Sequence, residues 1–243
     1  PEAIAAAVCA FPSIGAAVEC VIATIQMGIP LALIEFLDEA AVAACNAYSR
    51  QSLPPNPQLL IEFHGAPAAV AEEVERFGEI ARDHGSEGFQ WASATEDRAR
   101  LWKMRHDAYH ACLALRPGAT AIVTDVCVPI SRLAQAVEET RADIAAHPLP
   151  GPILGHVGDG NFHAILLVER GNDAELTIAK GLSHRMAERA LKLGGTITGE
   201  HGVGMGKRGL MEAEHGAAWA VMGAVKHALD PLGLMNPGKL VPG

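Results

Sequence analysis

What most constrains the fold of this chain is an alternation that runs along its whole length. Short apolar runs and longer helix-like segments follow one another, separated by breaks that contain Gly or Pro. The spacing predicts strands over Ile4 to Phe11, Leu31 to Leu37, Leu59 to His64, Gly88 to Ser93 and Ala121 to Val128. Helices are predicted between them, from Ser13 to Met27, Glu39 to Tyr48, Pro67 to His84, Thr95 to Leu115 and Arg132 to Ala146. Ser13 and Ser131 are candidate N-caps, and Pro67 suits a first helical turn, where its missing N–H costs nothing. Further on come a strand-rich stretch (Ile153 to Val168), a helix from Asp173 to Leu193, a short strand from Thr196 to Thr198 and a last helix from Ala217 to Leu229. Such alternation ordinarily signals a parallel α/β fold. Ile61-Glu62-Phe63-His64 argues otherwise, because apolar and polar residues alternate and one strand face must be wet, as in antiparallel sheets. Split β-α-β units satisfy both observations. The expected architecture is therefore α+β, a ferredoxin-like antiparallel sheet with helices mainly on one face.

The 243 residues, 49% of them hydrophobic and 19% charged, suffice for a large core. A net charge of -9 argues against a nucleic-acid binder and, more weakly, against attachment to anionic lipid. No apolar run reaches the roughly 20 residues of a membrane span. No basic segment followed by a long apolar stretch marks a secretion signal. Cys9, Cys20, Cys45, Cys112 and Cys127 form no CxxC pair and are read as buried thiols of a reducing compartment. The chain enters a strand almost at once after Pro1, so it is expected to be the C-terminal portion of a longer protein.

The chemistry centres on residues 155–163, G-H-V-G-D-G-N-F-H. Two histidines seven apart point to opposite faces of a straight strand, and Gly158, Asp159 and Gly160 disfavour a helix. Asp159-Gly160 is a two-residue hairpin signal. At that turn it would set His156 directly opposite His163, with Cβ atoms about 4.5–5.5 Å apart, a spacing that suits one shared metal ion. A longer loop would also bring the rings together. Taken alone, such a pair also fits a merely half-polar sheet face. Downstream, G-E-H-G-V-G-M-G places Glu200 and His201 among glycines that permit φ > 0 or close approach to a ligand. Glu200 could complete a His-His-carboxylate set for Zn, Mn or Fe(II) with open coordination positions. His201 is expected to point elsewhere and to be available as a base. There is no P-loop and no Rossmann glycine signature.

H-V-G-D-G-N-F-H, G-E-H-G-V-G-M-G-K-R, L-D-P-L-G-L-M-N-P-G-K-L, T-D-V-C-V-P-I-S and L-W-K-M-R-H, taken together and in order, resemble the C-terminal part of FAD-linked oxidases. The nearest likeness is to the group that holds the cytochrome-type D-lactate dehydrogenases and the glycolate oxidases. The resemblance covers residues 1–243 and implies a C-terminal substrate (cap) domain of ferredoxin-like build. An N-terminal FAD-binding domain is expected to lie outside this chain. It implies oxidation of a D-2-hydroxy acid to the 2-oxo acid, with the hydride passing to FAD, and no redox activity from this chain by itself. His156, His163 and Glu200 match the divalent-metal ligands, and His201 the catalytic base. Arg105 matches the arginine that holds the substrate carboxylate, and Asn236 a residue near the flavin. Positions that serve a second substrate carboxylate in relatives acting on D-2-hydroxyglutarate correspond to Tyr109, Val123 and Ile165. Two of these are apolar here, which favours a small monocarboxylate such as D-lactate or glycolate.

The implied partners are that small 2-hydroxy acid, the chain's own N-terminal FAD domain and an unidentified electron acceptor. Self-association is expected through the face the FAD domain would cover. The expected location is the cytoplasm, or the periphery of the inner membrane through an electron-transfer partner. Two rival readings are a non-enzymatic ferredoxin-like module that binds a metal or small acid, and a metallohydrolase built on the same three ligands. Elsewhere, Glu62, His64 and Glu35 are read as a polar sheet face before a second metal site. Trp91 and Trp102 are read as core residues, and Lys207-Arg208 as a solvated loop; His106 could assist beside Arg105.

Overall fold

The computed structural model describes residues 1–241. Most predicted elements form where local chemistry directs them. β1 (Ala3–Ala10) leads into α1 (Ile14–Gln26), whose N-cap Ser13 accepts a hydrogen bond from the Ala16 N–H at 3.1 Å. β2 (Leu33–Leu37) is followed by α2 (Glu39–Ser49), capped by Asp38. Then come β3 (Gln58–Gly65), α3 (Pro67–Asp83), β4 (Glu87–Ala92) and α4 (Thr95–Ala114). The second half runs β5 (Thr120–Val123), β6 (Val126–Cys127), α5 (Ile130–Ala145), β7 (Ile153–Gly155), β8 (Asn161–Val168) and α6 (Asp173–Lys192). A 3-10 turn (Arg208–Leu210), α7 (Met211–His215) and α8 (Ala218–Leu229) close the fold.

The strands form one eight-stranded sheet in the order β4-β1-β3-β2-β7-β8-β5, with β6 also pairing with β8. Every pairing is antiparallel, as the wet-faced strand pattern requires. Both sheet faces are apolar near the centre. Ala5, Ala7 and Cys9 of β1 face one core with α1, α3, α5 and α6, which is the majority of the long helices. Ala6 and Val8 face a second core with α2 and α4. The small alanines of β1 let helices approach the strand from both sides. β8 does the same with Phe162, Ala164 and Leu166 on one face and Ile165 and Leu167 on the other.

Some local expectations need correction. The single strand predicted from Ala121 to Val128 is split at Thr124-Asp125. Ser131 is not a cap: α5 begins at Ile130 after Pro129, with no side-chain cap. Thr196 makes only an isolated bridge with Cys127 in place of the predicted strand. The short α7 and the 3-10 turn before it lie where a loop is expected. Trp102 is buried, but Trp91 is half-exposed at the sheet edge. Four cysteines are buried, while Cys127 is only partly so, its thiol donating to the Asp159 carbonyl at 3.1 Å. Burial pushes the Cys20 and Cys112 thiols up to about 12, which makes them poor nucleophiles.

Candidate metal and substrate site

The site lies on the α2/α4 face of the sheet. His163 precedes Ile165 by two residues on β8, and Glu35 precedes Leu37 by two on β2, so both side chains share the face of that second core. The hairpin does not follow the two-residue turn. β7 and β8 pair Leu154 with His163, so His156 stands one residue beyond the strand, in a loop over residues 156–160. His156 O accepts from the N–H groups of Asp159 at 3.0 Å and Asn161 at 3.3 Å. Gly160, at φ +77°, runs so close to Val128 that a Cβ there would sit 2.0 Å from its carbonyl oxygen. The wider loop still brings the imidazoles together, edge to face, with ring centroids 5.9 Å apart.

The break between β5 and β6 explains how His163 is aimed. In a regular antiparallel pair, Thr124 and Ala164 would exchange two backbone hydrogen bonds. Thr124 N–H does donate to Ala164 O at 3.0 Å, but Ala164 N–H donates to the Thr124 hydroxyl at 2.7 Å. The Thr124 carbonyl is thus left for His163, whose Nδ1 lies 3.0 Å away. A carbonyl only accepts, so Nδ1 carries the proton and Nε2 offers its lone pair outward. Burial pushes the His163 pKa down, which keeps that lone pair available. His156 also turns Nε2 toward the same point, while its Nδ1 lies 2.6 Å from Glu35 Oε1. Glu200 Oε1 lies 3.1 Å from His163 Nε2 and 3.5 Å from His156 Nε2.

One ligand atom from each of His156, His163 and Glu200 lies within 4.8 Å of the other two. These residues fit a divalent metal for a chemical reason beyond proximity. Each histidine has its second nitrogen held by an oxygen acceptor, the outer arrangement typical of metal-bound imidazole. Glu200 is about half-exposed, which leaves the third side of the site open. A second grouping, Asp125 with His163 and His201, fits less well, because the Asp125 oxygens are already taken.

The sequence does not single out Asp125, yet this residue builds the second half of the site. It is buried, and its carboxylate accepts from the Thr198 hydroxyl at 2.7 Å and the Asn161 amide at 2.8 Å. It also accepts from the backbone N–H groups of Gly199 at 2.9 Å, His201 at 3.0 Å and Glu200 at 3.2 Å. Burial works to raise its pKa, but the Thr198, His201 and Asn161 hydrogen bonds and the Lys207 charge outweigh it and hold the carboxyl well below the usual range. Lys207 Nζ donates to both the carbonyl and the carboxylate of Asp125, so it is not the solvated lysine expected. Gly199 has no room for a side chain: a Cβ would fall 1.8 Å from Asn161 Nδ2. Along the chain, Asp125 is marked only by its charge beside Val126 and by its place in T-D-V-C-V-P-I-S.

His201 does not point elsewhere. Its ring stacks on His163 with centroids 4.9 Å apart, and its Nε2 lies 3.6 Å from Glu200 Oε1. Arg105 reaches the site from α4, its Nε donating to Glu35 Oε2 at 3.0 Å. Glu35 is therefore not paired with Glu62 and His64, which bond each other at 2.5 Å and form no three-ligand group among the described residues. Val123 pairs with Ile165 across β5 and β8, and Tyr109 is exposed on α4. His106 stacks on Trp102. Asn236, at φ 46°, lies in the turn after α8. Its segment is tied to the loop after His201 by Leu240 N–H to Gly204 O at 3.0 Å and by Arg208 to Gly238 O at 2.7 Å.

Comparison with known proteins places the chain in a family. Residues 1–240 match the family model described as FAD linked oxidases, C-terminal domain. The chain is 48% identical over 99% of its length to probable D-lactate dehydrogenase, mitochondrial, of Danio rerio, covering 49% of that protein. It is 39% identical over its full length to the mitochondrial D-lactate dehydrogenase [cytochrome] of Arabidopsis thaliana, covering 43% of it. It is 32% identical over 99% of its length to glycolate oxidase subunit GlcD of Bacillus subtilis, covering 51% of it. The chain thus spans about half the length of these relatives. Among solved structures, 4-ethylphenol oxidase from Gulosibacter chungangensis has a TM-score of 0.75 over 99% of this chain and 54% of its own, at 16% identity, a likeness of fold. The α+β sheet, the ordered motifs and these matches give one conclusion: the chain belongs to the C-terminal domain family of FAD linked oxidases.

Proposed function

We propose that this chain is the substrate- and metal-binding part of an FAD-dependent dehydrogenase that oxidises D-lactate or glycolate to the 2-oxo acid. The observation that carries the reading is the convergence of His156 Nε2, His163 Nε2 and Glu200 Oε1 beside an arginine that is one carboxylate away. When bound, a divalent ion (Zn, Mn or Fe) supplies charge that acidifies a 2-hydroxyl, and FAD, carried by a domain outside this chain, supplies the hydride acceptor. His156, His163 and Glu200 would hold the ion. Arg105 anchors the substrate carboxylate through its guanidinium fork, which fixes the orientation of C2. His201, stacked on His163, receives the hydroxyl proton at Nε2 as a general base. Asn236 meets the flavin side, on a segment pinned to the His201 loop.

Substrate size follows from Val123 and Ile165, which pair on β5 and β8 and offer no charge or hydrogen bond to a second carboxylate. An electron acceptor at the inner-membrane periphery suits a protein that has among its relatives the mitochondrial D-lactate dehydrogenase [cytochrome] of Arabidopsis thaliana. No helix among the described residues is long and apolar enough to cross a membrane. Elemental analysis of wild type against His163→Ala tests the ligands: metal content should fall sharply, and unchanged content would remove the assignment. For substrate, the full-length flavoprotein should show higher kcat/KM for D-lactate or glycolate than for D-2-hydroxyglutarate. The opposite order would refute the size argument.

A further inference from the structure

We propose that Glu35 is a positioning residue that sets two functional groups at once: Nε2 of His156 toward the metal, and the outer edge of Arg105 toward the substrate carboxylate. The proposal rests on the metal and hydroxy-acid reading above and adds to it a residue from a distant strand. Glu35 lies on β2 opposite Leu60 and is 4% exposed, among Leu37, Leu60 and the helices α2 and α4. A buried carboxylate in apolar surroundings costs several kcal/mol unless its oxygens are satisfied by paired charge and hydrogen bonds. Each oxygen of Glu35 has one such partner, and each partner belongs to the site. Oε1 is 2.6 Å from His156 Nδ1, and Oε2 is 3.0 Å from Arg105 Nε.

The consequences follow from hydrogen-bond roles. An ionised carboxylate only accepts, so His156 must carry its proton on Nδ1 and present Nε2 as a lone-pair donor. That is the tautomer the metal requires, and the ring orientation is fixed with it. At Arg105 the carboxylate takes Nε, and the two terminal nitrogens make no hydrogen bond among the described residues. The guanidinium fork therefore keeps an edge for bidentate contact with a substrate carboxylate. Because one buried side chain holds both groups, the spacing between the His156 ring and the Arg105 guanidinium is set from β2 and does not depend on two independent rotamers. In a 2-hydroxy acid the hydroxyl and carboxylate are on adjacent carbons, so that distance matters. If Glu35 were only the counter-ion that pins Arg105 and α4 to the sheet, it would have no reason to engage His156.

Glu35→Gln in the full-length protein separates these roles. The amide keeps the shape but loses the charge and has one acceptor oxygen, so its NH2 group breaks the link it faces, and the link its oxygen keeps is weakened to a neutral hydrogen bond. Metal-stripped protein is titrated with Zn2+ against a chromophoric chelator, and D-lactate kinetics are measured on the metal-saturated enzyme. The zinc Kd should weaken by about 10- to 100-fold. The KM for D-lactate should rise about tenfold, with kcat changing less. Glu35→Asp, which keeps the charge but is too short to reach both partners, should show a smaller loss and serves if the Gln variant fails to fold. Glu62→Gln, on the same sheet face but bonded to His64, should leave both readings unchanged.

A Glu35→Gln protein with wild-type zinc affinity, measured beside a His156→Ala variant that has lost it, would overturn the proposal and leave the metal site standing. Weakened zinc binding with an unchanged KM would overturn the Arg105 half. Wild type that binds no zinc or other divalent ion would remove the metal reading and this proposal with it.

Discussion

Replacing Asp125 by Asn should separate the architecture of the site from its ligands. The carboxylate is 1% exposed and lies within 3.3 Å of donors on Asn161, Thr198, Gly199, Glu200, His201 and Lys207. Asparagine has nearly the same shape but loses the charge, and it points an NH2 group at groups that are themselves donors. Adding the six contacts at face value would overshoot, because in the unfolded chain the same groups bond water. The better comparison is a buried ion pair with one member removed, here leaving the Lys207 charge without its counter-ion, with only the Asp125 carbonyl to donate to, at a cost of about 3–5 kcal/mol. For a domain of this size that corresponds to a melting point lower by roughly 6–20 °C.

The pH dependence gives a sharper check on the same residue. The folded pKa of Asp125 lies below its unfolded value of about 4, so its contribution is fully present above pH ~4 and is lost as pH falls below that toward the depressed value. Urea unfolding at a series of pH values should show a wide gap between wild type and Asp125→Asn near neutrality, narrowing below pH ~4. A gap under about 1 kcal/mol at neutral pH, or one that stays constant into the acid range, would refute the account of Asp125 as the organiser of the 198–201 turn.

Other substitutions test separate parts of the fold. Gly160→Ala faces both φ +77° and a Cβ 2.0 Å from the Val128 carbonyl, so the loop must move at a cost above about 2 kcal/mol; a melting point equal to wild type would contradict the described loop path. Phe77 is fully buried and meets Phe63 edge to face at 5.8 Å, so Phe77→Ala should cost about 3–5 kcal/mol in urea unfolding, and a loss below 1 kcal/mol would mean that the α3 core repacks freely. Arg141→Ala breaks a partly exposed pair with Glu39 and should change stability by less than about 1 kcal/mol, an effect that shrinks further in high salt.

Much of the molecule is legible in its residues because the signals are local. Caps, glycine stops and proline breaks place α1, α3 and α6 within a residue or two, and the wet strand face in Ile61 to His64 rules for an antiparallel sheet. His156, His163 and Glu200 can be named as one candidate set because imidazoles and a carboxylate among glycines are chemically conspicuous, and the proposed roles of Arg105 and His201 come from the family resemblance. The His156 register departs from the two-residue turn for a reason that only packing supplies. Asp159-Gly160 is a good two-residue turn in isolation, but Gly160 is pressed against Val128 of another segment, and that contact fixes the wider loop.

Glu35 and Asp125 are beyond reach for the same kind of reason. Glu35 meets Arg105 across 70 residues and His156 across 121, and Asp125 meets the 198–201 turn across 73 to 76. A carboxylate's partner is set by which strands lie side by side, and strand order β3-β2-β7-β8 follows from how the two apolar faces are jointly buried. Side-chain chemistry and near neighbours along the chain therefore settle most of the elements and the antiparallel class, and they name the candidate ligands. Which buried carboxylates hold those ligands is a property of the folded sheet, because nothing short of it brings residues so far apart in the chain within hydrogen-bond distance.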